Sequence, residues 1–106
     1  KEGPTIGELG EDLVALQREV LLEAARLQSM AQWQSVTREG DARQRERALR
    51  ELAAAHAAAG ALLEKASAEW ELGRWEQTRG QIAALQRTLK EMAVAELDLV
   101  KPLSNR

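Results

Sequence analysis

The spacing of the apolar residues constrains this chain more than anything else in it. Ile6, Leu9, Leu13, Leu16, Val20, Leu27 and Met30 recur at alternating steps of three and four, broken only at Glu23. That step is the period of an α-helix presenting one continuous stripe, a heptad seam. Leu49, Leu52, His56, Ala59, Leu63, Ala66 and Trp70 repeat the spacing. So do Trp75, Ile82, Leu85, Leu89, Met92 and Leu99, with Ala93, Leu97 and Val100 widening the last stripe. A lone amphipathic helix is marginal in water and gains its stability by burying its stripe against another element. Three stripes in one chain therefore predict an all-α fold, an elongated three-helix bundle or antiparallel coiled coil running up, down and up. Aromatic residues are 3% of the chain and all are tryptophan, so Leu, Ala, Val, Ile and Met must fill the core, a mixture favoured in helices.

Punctuation residues set the expected boundaries. Thr5 and Glu8 have the spacing of a capping box, in which each side chain satisfies a backbone N–H of the first turn. Gly40 followed by Asp41, with Gln44 three residues on, predicts a stop and a second capping box, placing the first corner at 38–41. Gly73 suits a helix C-terminus, and Pro102 ends the last helix. The expected helices are 5–38, 41–72 and 74–100, about 40 to 50 Å long at 1.5 Å per residue. A competing layout lets the second helix continue through Gly73 and Gly80, giving a long two-helix hairpin that completes its core by oligomerising. With 106 residues the chain suits one domain, and its Lys-Glu-Gly-Pro start reads as a segment of a longer protein.

Several functional classes fall away. A chain with 44% hydrophobic and 30% charged residues is not a disordered tail, and it holds no uncharged apolar run of membrane-spanning length. It contains no cysteine, which removes disulfides, thiolate catalysis and cysteine-bound zinc. A formal charge of -2 recruits neither nucleic acid nor anionic lipid. His56 is the only histidine and has no second ligand one turn away, so it reads as a structural imidazole within the alanine-rich run 53–61. The glycines form no phosphate-binding loop, and no serine has a histidine at a useful spacing. No catalytic, cofactor, metal or small-molecule site is expected, and the chain reads as a cytoplasmic non-enzyme.

What remains is surplus. Val14, Leu21 and Leu22 add to the seam of the first helix, so apolar side chains occupy over half its circumference. Either this helix is central in the bundle or these residues meet a second copy or another protein. Trp33 falls beside the seam, and Trp70 and Trp75 bracket the Gly73 corner, where they plug the bundle end or serve as anchors for a partner. Arg43, Arg45, Arg47 and Arg50 form a local basic excess that an acidic partner would fit, or else a solvated face. The run from Leu62 to Met92, with Gly73-Arg74-Trp75 opening a helix and Ile82, Leu85 and Leu89 following, resembles the last helical hairpin of iron-sulfur co-chaperones. It covers under a third of the chain and lacks the His-Pro-Asp motif of those proteins. The expected function is a non-catalytic protein-interaction domain, a scaffold or adaptor that self-associates or receives a partner protein. The alternative is a small chaperone or co-chaperone domain holding an amphipathic client segment.

Overall fold

The computed structural model describes residues 5–33 and 39–100, and the chain is all-α. Helix α1 spans Ile6–Trp33, α2 spans Glu39–Glu71 and α3 spans Trp75–Val100. The capping box forms as the spacing predicts: the Thr5 N–H donates to Glu8 Oε1 at 2.8 Å and the Glu8 N–H to Thr5 Oγ1 at 3.2 Å. Two of the donors that every helix start leaves unpaired are thereby satisfied.

The three seams converge. Leu9, Leu13, Leu16 and Val20 of α1 are buried, as are Leu52, Ala59 and Ala66 of α2 and Ile82, Leu85 and Met92 of α3. The result is an elongated three-helix bundle with extents of 51 × 24 × 16 Å. Burying each large aliphatic side chain stabilises the fold by about 1.5–3 kcal/mol relative to leaving it exposed. The alanine run lets α1 approach α2 closely, so that half-buried His56 donates from Nε2 to the backbone oxygen of Val20 at 3.0 Å. The imidazole is thus a tie between two helices.

The second corner decides between the two layouts. Gly73 has φ +76°, a left-handed conformation that side chains with a Cβ rarely adopt. The Arg74 N–H bonds to the Glu69 oxygen at 2.9 Å and the Gly73 N–H to the Trp70 oxygen at 3.1 Å. This pair of bonds is a Schellman motif, which closes the orphan carbonyls of α2 and turns the chain. The continuous helix of the two-helix hairpin is therefore not formed. No side-chain cap starts α3; instead both the backbone N–H and the Oγ1 of fully buried Thr78 donate to the Arg74 oxygen, at 3.0 and 2.9 Å.

The first corner differs from expectation. Helix α2 has already begun at Glu39, so Gly40 and Asp41 are helical and Gly73 is the only glycine with positive φ among the described residues. A Gly-Asp pair is as compatible with the first turn of a helix, where acidic residues are favoured, as with the end of the preceding one. The expected continuation of α1 to residue 38 and the stop at Pro102 lie outside the described residues.

The three helices are not equally associated. Helices α2 and α3 pack most extensively, α1 rests mainly on α2, and α1 meets α3 least. An open furrow between α1 and α3 follows from that imbalance.

Candidate protein-interaction surface

The apolar surplus of α1 faces outward. Val14, Leu21 and Leu22 are all exposed, Leu21 to 71%, so the first helix is not central in the bundle. Leu21 and Leu22 point about 100° apart around the helix, so they flank the outer face rather than share one spot. Val94 and Leu97 are exposed on α3, and Leu72 at the Gly73 corner. Leu97 was expected to widen the buried stripe of α3. The stripe position belongs to its neighbour Glu96, which continues the three-four spacing through Leu89, Met92 and Leu99 and is buried.

The furrow between α1 and α3 has definite walls. One stretch, a recess of about 340 Å³, lies between Leu16, Glu19 and Glu23 of α1 and Gln86, Leu89 and Lys90 of α3. Past Arg26 and Ala93 it opens into a second recess of about 470 Å³ lined by Met30, Glu96 and Leu97. Leu22, Arg26 and Met30 stand at successive steps of four and so form one ridge on α1, of which Arg26 and Met30 line the furrow. Ala93 and Leu97 form the matching ridge of α3.

A charged bridge crosses the floor. The Arg26 guanidinium donates through one nitrogen to Glu23 Oε1 at 2.7 Å and to Glu96 Oε1 at 3.4 Å. The two carboxylate side chains are only 5% and 8% exposed, whereas Arg26 is 47% exposed. The second oxygen of each carboxylate is buried with no hydrogen-bond partner. Glu23, met in the sequence only as a break in the seam, is therefore half of a polar layer whose other half, Glu96, sequence reasoning missed. The signal was present: both glutamates occupy heptad positions where an apolar residue belongs.

The other candidates are placed elsewhere. Trp70 and Trp75 pack against the core and meet each other edge to face, with centroids 6.3 Å apart and an interplanar angle of 64°. The side chain of Trp33, at the end of α1, lies outside the described part of the structure. Arg43, Arg47 and Arg50 share one exposed face of α2, and Arg50 pairs with Glu46 at 2.9 Å. Arg45 lies on the other side, half-buried in line with Leu49 and Leu52. The four arginines are thus not one patch. Among the described residues no three acidic or histidine side chains converge as a metal set, and no helix is long and apolar enough to cross a membrane.

No protein-family model, curated protein or solved structure matches the chain.

Proposed function

We propose that this domain is a non-catalytic protein-interaction module, a scaffold or adaptor segment that receives a partner along the furrow between α1 and α3. The observation that carries the proposal is where the large exposed apolar side chains stand. Exposed Leu97 lines a recess of the furrow together with Met30 and Ala93, exposed Leu22 stands one helical turn before Arg26 of the α1 wall, and exposed Val94 is the chain neighbour of Ala93 on α3. Apolar ridges that flank a groove are the usual seat of an amphipathic helix, which reads them with residues at steps of three and four. Adaptor function needs no reactive centre, only complementary surface.

Selection from a displayed library of helical peptides tests this. Enriched sequences should carry an apolar stripe of helical period, and their binding should fall at least tenfold against the Leu97→Glu variant, about 1.4 kcal/mol or more. Peptides that bind without regard to Leu22 or Leu97 would place the partner elsewhere and refute the proposal. The open groove also suits the second reading, a chaperone domain holding client segments. In that case many unrelated amphipathic sequences would bind with similar affinity rather than a narrow consensus.

A further inference from the structure

We infer that the occupant of the furrow is an amphipathic helix of a partner protein that carries one arginine or lysine inside its apolar stripe, paired with Glu23 and Glu96. The inference presupposes that the domain receives a protein in this furrow. Helices α1 and α3 run in the same direction and α2 against them, so a fourth helix antiparallel to α1 and α3 would complete a four-helix bundle. The walls run from Leu16 to Met30 on α1, which a partner helix of about 15 residues would span at 1.5 Å per residue.

The charge of the floor specifies what that helix brings. Glu23 and Glu96 share a single cation, Arg26, which reaches both through one nitrogen. Two carboxylates against one guanidinium leave the layer one negative charge in excess, and each carboxylate keeps an unpartnered buried oxygen. Buried charges persist when they are paired, and an unmet one is strongly destabilising. Around this layer the groove offers Leu16, Met30, Ala93 and Leu97 as apolar contacts. A basic residue flanked by leucines at helical spacing matches both features at once. Exposed Glu19 of α1 and exposed Lys90 of α3 also line the recess, one carboxylate and one ammonium, and so add no net formal charge to that of the floor.

The test uses the whole chain and three dye-labelled helical peptides of about 18 residues. All three share the same leucine stripe. The first has an arginine within the stripe, the second has the arginine moved to its polar face, and the third has glutamine in the stripe position. Fluorescence anisotropy should show the first binding at least about tenfold more tightly than either control. The double variant Glu23→Gln/Glu96→Gln, checked for retained helicity by circular dichroism, should bring the three within about twofold. Arg26→Gln, a change at a half-exposed site, should instead widen the preference, because it removes the competing cation.

Equal binding of the two arginine peptides, or a preference that survives the double variant, overturns the charge pairing and leaves the furrow as an apolar docking site. A preference that Arg26→Gln leaves unchanged or narrows also overturns it. Failure of all three peptides to bind removes the docking reading together with the inference. A chain that is dimeric by light scattering, and made monomeric by Leu97→Glu, holds a second copy in the furrow and overturns the proposed partner.

Discussion

The ring of Trp70 lies directly against Gly10. A Cβ placed on Gly10 would sit 3.1 Å from Trp70 Cζ2, with two further ring atoms inside 4 Å. Glycine is thus the residue that lets α1 seat against the tryptophan closing α2. Trp75 leans edge-on against the same indole, so the ring has little room to move aside. Gly10→Ala should therefore lose stability although alanine is the better helix former. Gly60→Ala and Gly80→Ala, whose new methyls would meet nothing within 4 Å, should each gain about 0.5–1 kcal/mol. Urea denaturation of the three variants separates the effects, and a gain at Gly10 equal to the others would mean that the indole yields freely.

Gly73 makes the corner that separates α2 from α3. An alanine there would be forced to adopt φ near +76° or abandon the Schellman bonds. The expected cost of Gly73→Ala is about 1–2 kcal/mol, read as a lower denaturation midpoint with an unchanged slope. If the variant loses nothing, the left-handed turn is not what holds the corner.

Much of this architecture was legible because heptad spacing is a local property that burial then obeys. Leu9, Leu13, Leu16, Val20, Ile82 and Leu85 all lie in the core where their spacing puts them. Gly73 was legible too, since a left-handed residue at a helix end favours glycine. Gly40 was misleading for the complementary reason: glycine and aspartate are tolerated in a first helical turn, so residue type alone does not distinguish an end from a beginning. The furrow was not legible. Which pair of helices packs least is a matter of global geometry, and Glu23 is joined to Glu96 only through Arg26, which sits off the seam and lies 70 residues from Glu96. For the tryptophans, composition could not choose between anchor and plug, and only the edge-to-face contact places Trp70 and Trp75 within the packed bundle.

The charged layer should lower the stability of the isolated domain. Arg26→Met leaves two buried carboxylates without their cation and should destabilise by about 2–4 kcal/mol, toward the lower end because Arg26 is half-exposed. Replacing the layer whole, Arg26→Met with Glu23→Leu and Glu96→Leu, should make the chain as stable as the original or more so by up to about 4 kcal/mol. Thermal unfolding followed at 222 nm distinguishes the two. A triple variant no more stable than Arg26→Met would mean that packing, not ionic burial, governs this layer.

Val20 and Leu21 are adjacent, yet the fold assigns them opposite fates. Val20 faces the core at 8% exposure and its backbone oxygen accepts the His56 bond, whereas Leu21 points into solvent. Val20→Glu would bury a carboxylate with no cation in place and should cost several kcal/mol, about 3 or more. Leu21→Glu, and likewise Leu22→Glu, should change stability by no more than about 0.5 kcal/mol. The decisive measurement combines circular dichroism with partner binding. If the apolar outer face of α1 contributes to a protein contact, Leu22→Glu should remain helical, melt like the parent and bind groove-directed peptides more weakly, because Leu22 is exposed one helical turn before Arg26, which lines the furrow. Leu21, about 100° away, should then have less effect on those peptides than Leu22. Unfolding of either leucine variant would instead put these side chains inside the bundle, against the exposure on which the proposed interface is built.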